Sequence, residues 1–359
     1  MVGTDRRQDL LINKKKMKLN KTISGLLPLL VLLGAAFSSC HKIHEDLPPC
    51  PRNLRFAYTY NMKFADAFAR EMTNQSKAKQ MQLYIYDREG RFLSSRTVAG
   101  NDLAANSLPL DLAPGTYQFM AWGGLDEADY TWSTPQPGDL IGDWKMAVNP
   151  DAATPANTVS RELPGLFHGQ KELTLPLPEE EGDILLPLVK NTNKLRLVLI
   201  DTDSGTFLVP AYFTVEATTV VSDLNAANEP LTSNTFTWHP YYTGTGKVNG
   251  TDGKPTYSAA IYELNTLRLL DGTATSLRII QQGETTPFLS VDLTGLLLLT
   301  RMESQGISTQ EYLDRQDEYT ILVYLDRKDG KAHYLQIIVN DWTIRLDDIN
   351  LGKEKRYEQ

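Results

Sequence analysis

The chain has 359 residues and only two cysteines, Cys40 and Cys50, so a disulfide framework is excluded by arithmetic. It has no Gly-x-Ser-x-Gly elbow, no His-Glu-x-x-His pair, no glycine loop to cradle phosphate and no dinucleotide fingerprint. Five histidines are scattered: His41 and His44 stand near Cys40, and His168, His239 and His333 have no companion at ligand spacing. Asp201-Thr202-Asp203-Ser204-Gly205 resembles the start of a calcium loop, but the twelfth position counted from Asp201 is Tyr212, which offers no carboxylate, so a turn is expected there. The pair Asp347-Asp348 is uninformative in an acidic chain. No catalytic residue, cofactor or metal is therefore expected, and the protein reads as a binding protein rather than an enzyme.

A membrane-spanning run is missing as well. The apolar stretch 23–37 contains Ser24, Gly25, Pro28 and Gly34 and spans about fifteen residues, short of the roughly twenty that cross a bilayer as a helix. What precedes and follows it gives it a different meaning. Lys14, Lys15, Lys16, Lys18 and Lys21 come before it, and it closes on Phe37-Ser38-Ser39-Cys40, which is the layout of an export signal. Small residues before the cysteine resemble the lipobox of bacterial lipoproteins, although Phe37 stands where that pattern usually has Leu. The resemblance implies acylation of Cys40 and cleavage just before it. Residues 1–39 are then a signal peptide, with Met17 as a candidate true start, and residues 40–51 a lipid-anchored spacer. In the spacer, Pro48-Pro49-Cys50-Pro51 forms an extended strut, and Cys50 has no second thiol for a redox pair.

Residues 1–39 carry seven Lys or Arg and two Asp or Glu, so removing their net +5 from the −8 of the whole chain leaves −13. An acidic body argues against a nucleic-acid partner. Its 320 residues from Cys40 onward suggest two domains, placed at 52–184 and 185–359. Both read as all-β. Leu54, Phe56, Tyr58 and Tyr60 alternate with Arg55, Ala57 and Thr59, the period of a half-buried strand. Residues 63–72 have helical spacing, and 80–87 with 91–97 form a hairpin across Arg88-Glu89-Gly90. Pro114-Gly115, between leucine-rich and aromatic segments, suits a type II hairpin turn. Residues 128–157 read as a surface excursion anchored by Trp132 and Trp144, and 179–183 as a solvated acidic turn. Further strands are expected at 171–177, 184–189, 194–200, 207–218, 256–262, 276–281, 288–292, 319–326 and 332–340. Residues 225–253, including Gly244-Thr245-Gly246-Lys247, read as a long exposed loop, and 293–301 is undecided between strand and helix. Many short strands with few helices favour β-sandwiches.

Several segments together resemble the FimB-type family of fimbrial anchor lipoproteins from Bacteroides-type bacteria. They are Ile43-His44-Glu45-Asp46-Leu47-Pro48-Pro49-Cys50, the strand at Leu54 running into Phe64-Ala65-Asp66-Ala67-Phe68, and Gln82 to Gly90. Trp122-Gly123, Lys190-Asn191-Thr192-Asn193-Lys194 and Gln310 to Tyr319 follow in the same order. The resemblance implies two tandem transthyretin-like β-sandwich domains after a lipoprotein signal peptide, at the outer membrane and facing the cell surface, associated with type V pili. Its implied partners are fimbrial pilin subunits, bound by β-strand complementation, and the lipid bilayer, reached through acylated Cys40. Candidate strand-exchange segments are the first strand, with Leu54, Phe56, Tyr58 and Tyr60, and the terminal segment, with Ile337, Val339, Trp342 and Ile344. The alternative is a surface lipoprotein that binds carbohydrate or assists nutrient uptake, with Trp132, Trp144 and Trp238 either stacking on sugar or pinning loops to the core.

Overall fold

The structure, a computed structural model, describes residues 53–58, 80–152, 156–175, 183–203, 207–231, 234–249, 256–301, 306–328, 330–340 and 342–344. Cys40, Cys50, the spacer, Tyr60, the helical segment 63–72 and the acidic residues 179–182 lie outside them. Among the described residues the chain is built of twenty-one strands and three short α-helices, the all-β class expected. The first ten strands are β1 (Asn53–Tyr58), β2 (Gln80–Asp87), β3 (Phe92–Ala99), β4 (Leu108–Pro109), β5 (Gly115–Gly123), β6 (Tyr130–Trp132), β7 (Lys145–Val148), β8 (Thr158–Val159), β9 (Phe167–Leu175) and β10 (Ile184–Lys190). The remainder are β11 (Thr192–Asp201), β12 (Phe213–Thr219), β13 (Asp223–Asn225), β14 (Phe236–Trp238), β15 (Tyr242–Asn249), β16 (Thr256–Leu267), β17 (Thr275–Gln281), β18 (Leu289–Val291), β19 (Glu318–Lys328), β20 (Lys331–Val339) and β21 (Trp342–Ile344). Helix α1 is Gly100–Ala105, α2 is Leu293–Leu298 and α3 is Thr309–Asp314. No described helix is long and apolar enough to cross a membrane.

The strands form a seven-stranded sheet in the order β3-β2-β5-β9-β10-β1-β4 and a six-stranded sheet in the order β15-β16-β11-β19-β20-β21. A five-stranded sheet, β18-β17-β12-β14-β8, and a three-stranded sheet, β13-β7-β6, complete the fold. Alternation decides what each face buries. In the seven-stranded sheet Leu54, Phe56, Met81, Leu83, Ile85, Phe119, Ala121 and Leu186 share one core with Leu103 of α1. The intervening Tyr84, Tyr86, Met120 and Trp122 join a second, larger core. That larger core continues through Leu195, Leu197 and Leu199 of β11 to Val215 and Ala217 of β12 and Leu277 and Ile279 of β17. It also contains Trp144 and Met146, next to β13, which pairs with β7. The chain passes from the seven-stranded to the six-stranded sheet at Asn191.

Three local expectations are corrected and one undecided run is resolved. Pro114-Gly115 does not close a hairpin: β5 pairs with β2 and β9, the leucine strand β4 pairs with β1, and Gly115 is not among the positive-φ glycines. Residues 225–253 are not one loop, because they contain β14 and the eight-residue β15, so Gly244-Thr245-Gly246-Lys247 lies within a strand. The undecided run at 293–301 begins with α2, whose Leu293, Leu296 and Leu297 are buried at helical spacing. The terminal segment 337–344 is not a single strand: Asn340 takes φ 47°, and β21 folds back on β20 so that Ile337 pairs with Ile344. The excursion at 128–157 is pinned as expected, and its β6 and β7 form the three-stranded sheet with β13.

Candidate functional site

Two of the motif segments, 190–194 and 310–319, meet in space. Lys190 at the end of β10 and Asp317 just before β19 form an ion pair, Nζ to Oδ2 2.7 Å, with side chains only 2% and 6% exposed. The backbone N–H of Lys194 donates to the carbonyl of Asp317 at 2.8 Å. Between them, Asn191 and Asn228 exchange side-chain amide hydrogen bonds at 2.7 and 3.0 Å, and Thr192 Oγ1 accepts from Leu166 N. Asn193 Nδ2 donates to the Leu267 carbonyl, and Asn265 Nδ2 donates back to the Asn193 carbonyl. A buried polar group is tolerated when its hydrogen bonds are made, and this run makes them at the point where the chain changes sheets. The second segment is held similarly. Ser308 caps α3 by accepting from Glu311 N at 3.0 Å, and Asp314 takes a two-pronged grip from Arg268 Nε and Nη2, each at 2.7 Å. Of the calcium-like start, Asp201 ends β11 and its Oδ1 accepts from Asp203 N, Arg327 Nε lies 3.2 Å from Oδ2, and Ser204 and Gly205 lie outside the described residues. Among the described residues no group of His, Cys, Asp and Glu is arranged to hold a metal ion.

The margins of the sheets differ in how well they are closed. β1 pairs in parallel with β10, and on its outer side β4 covers Asn53 and Leu54. Beyond β4 the Asn106 amide replaces a strand: Phe56 N donates to Asn106 Oδ1 at 2.8 Å and Asn106 Nδ2 donates to the Phe56 carbonyl at 2.9 Å. Leu54 and Phe56 are buried, and of Tyr58 only the backbone is described. At the far margin, the outer side of β3 is covered at Phe92 by Gly138 and Asp139. In the six-stranded sheet, β21 closes one margin with three residues, and only the backbone of Trp342 and Ile344 is described. Ile337 and Val339 are buried in the core. The other margin is β15, eight residues long, which among the described residues pairs with β16 alone. It contains no proline, and Lys247 is its one charge, so by these two devices the edge is only lightly blunted.

The tryptophan platform is overturned. Trp144 and Trp238 are 2% and 1% exposed, and Trp132 packs against the main core. Trp144 stacks on Trp122 with centroids 4.8 Å apart, and Trp238 Nε1 donates to Thr219 Oγ1. His168 closes the same stack, 4.6 Å from Trp122, with Nε2 donating to the Ala226 carbonyl at 2.9 Å. Burial pushes its pKa down from 6.5 to about 4, against the opposing pull of that hydrogen bond. The unfolded chain takes up this proton below about pH 6.5, whereas the folded chain refuses it until about pH 4, so the stability contributed is full above pH 6.5 and is lost as pH falls. Urea unfolding at pH 7 and pH 4.5 is expected to show the parent losing about 2 kcal/mol more than His168→Gln. Equal losses in the two proteins would exclude this role.

These strand margins and buried polar locks belong to an all-β fold of four sheets. The comparisons carry that fold to a family. A family model for the fimbrillin-A associated anchor proteins Mfa1 and Mfa2 matches residues 47–348, and the chain belongs to that family. The crystal structure of a candidate adhesin from Bacteroides thetaiotaomicron is similar at 28% identity and a TM-score of 0.69, covering 84% of this chain and 99% of that one. A candidate adhesin from Bacteroides ovatus is similar at 26% identity and a TM-score of 0.67, covering 87% and 98%. The fimbrial anchor protein Mfa2 from Porphyromonas gingivalis shares the fold at 18% identity and a TM-score of 0.55, covering 82% and 99%. No curated protein sequence matches the chain.

Proposed function

We propose that the protein is an outer-membrane lipoprotein, held through acylated Cys40, that anchors or helps assemble a fimbrium by binding pilin through β-strand complementation. The observation that carries the binding mode is the free margin of β15, eight residues with one charge and no proline. An incoming strand on such an edge gains main-chain hydrogen bonds along its length and side-chain specificity at alternate positions. The other two candidate segments are less accessible. The outer side of β1 is occupied by β4 and the Asn106 amide, and β21 has only three residues. Family membership and the fold shared with a fimbrial anchor protein support the assignment to fimbriae.

A photo-crosslinking amino acid placed at Thr245 or Lys247 is expected to capture a pilin subunit on intact cells. The same label at Phe56 or Ile338 is expected to capture little. Pilin capture only from Phe56 or Ile338 would move the contact to one of the other segments, and capture from none would remove strand complementation from the proposal. Deleting the gene is expected to release long fimbriae into the medium; fimbriae unchanged in length and attachment would count against the anchor role.

A further inference from the structure

The six-stranded sheet has a second face, turned away from the main core. Leu195, Leu197, Tyr262, Leu264, Tyr319 and Ile321 point into that core, so the intervening Arg196, Glu263 and Thr320 point outward. At this end of the sheet they floor a cleft of about 910 Å³, walled by residues 160–162 on one side and Tyr241 and Tyr242 on the other. The volume lies within the roughly 300–1,000 Å³ range of small-ligand sites.

Its chemistry is specific. The three cations that line it are each matched to a carboxylate. Lys194 Nζ lies 2.8 Å from Glu162 Oε1, and Arg196 Nη1 lies 3.2 Å from Glu263 Oε1. Arg161 is held by Asp129, by Asp151 and by the Asn149 carbonyl, and Ser160 Oγ donates to Asp151 Oδ2. These pairs leave no unmatched cation to select an anion. They present donor-only and acceptor-only groups side by side, and a hydroxyl, which both donates and accepts, can bridge such a pair. Vicinal hydroxyls do so repeatedly.

The aromatic wall is fixed in place. Tyr242 is 51% exposed, and its ring lies down on Gly244: a Cβ at that glycine would come within 2.7 Å of the Tyr242 Oη and 3.1 Å of its Cζ. Only the missing side chain lets the ring rest there. Tyr241 Oη donates to Glu263 Oε2 at 3.4 Å, which ties the second tyrosine to the floor. An aromatic ring held flat beside paired charges offers an apolar face at low entropic cost.

We propose that this cleft binds a neutral oligosaccharide, the C–H face of one sugar resting on Tyr242 and its hydroxyls bridging the Arg196–Glu263 and Lys194–Glu162 pairs. Titration calorimetry of the folded protein with lactose, mannotriose, cellotetraose and triacetylchitotriose tests it. At least one of the four is expected to bind with a Kd below about 1 mM. Tyr242→Ala and Arg196→Ala are each expected to weaken that binding at least about tenfold, with melting curves showing that the variants remain folded. Gly244→Ala, which displaces the ring without removing it, is expected to weaken it as well. Absence of binding by all four sugars up to about 10 mM, or binding untouched by Tyr242→Ala, overturns the proposal. So does capture of a protein through a crosslinker at Tyr242 when none of the four sugars binds.

Discussion

Replacing Cys40 with Ala is expected to abolish incorporation of fatty acid and to reduce the protein in the outer-membrane fraction by more than about tenfold. The reasoning starts from the lysines, the short apolar run and the small residues that end on Cys40. The run is too short and too interrupted to hold the protein as a spanning helix, so the proposed attachment rests on the lipid at Cys40. One acyl chain binds a bilayer only marginally; two or more hold it stably, because each buried methylene contributes about 0.8 kcal/mol. On the proposed anchoring a single side chain carries the attachment, and the body from Cys40 onward, with a net charge of −13, has no attraction for an anionic leaflet to replace it. Growth with a clickable fatty acid, followed by fractionation, reads both effects. Label retained by Cys40→Ala would refute the attachment site, and membrane retention without label would point to a protein contact. Cys50→Ala is the matched control and is expected to keep the label.

How far the sequence disclosed the fold depends on how strongly each segment's apolar residues repeat. Residues 80–87 are legible because Met81, Leu83 and Ile85 alternate with Gln82, Tyr84 and Tyr86, the first set facing one core and the tyrosines the other, and the expected and observed bounds coincide. β11 and β19 are central strands whose alternate leucines, isoleucines and valines are buried, and the expected 194–200 and 319–326 fall inside the longer strands observed. β15 carries no such signal. It sits at a margin with exposed and half-exposed residues in turn, and its glycines and threonines read as a loop. Its partner β16 buries the inner face for both, so only the pairing register reveals the strand. The tryptophans left two readings open: Trp144 and Trp238 stand in polar, turn-rich surroundings, and contacts distant in sequence draw each into the core, so they pin their loops. The cleft with Tyr241 and Tyr242 was illegible because four strands and a connecting segment bring its residues together.

The junction between sheets sets the second large effect. Asp317→Ala is expected to destabilise the protein by roughly 3–5 kcal/mol, the usual cost of leaving one member of a buried ion pair alone. At about 2–4 °C per kcal/mol this lowers the Tm by on the order of 10 °C. The pair joins residues 127 apart in sequence, and Lys190 Nζ, its side chain 2% exposed, also lies 5.9 Å from the centre of the Phe167 ring, so the ammonium sits in a largely desolvated site. Lys190→Met should cost a similar amount, because the buried carboxylate then loses its cation. The double variant Lys190→Met with Asp317→Leu is the informative member of the cycle. Replacing a buried pair by apolar groups of similar size is often nearly neutral, so the double variant is expected to recover most of the loss suffered by either single one. If Asp317→Ala melts within about 2 °C of the parent, the pair is not a lock. If the double variant is as unstable as the sum of the single ones, the segments are held by the surrounding asparagine network, and the charges contribute independently of each other. Recovery would instead show that the two motif segments are coupled through this contact, which fixes β19 against β11 and thereby the sheet whose margin β15 pairs, among the described residues, with β16 alone.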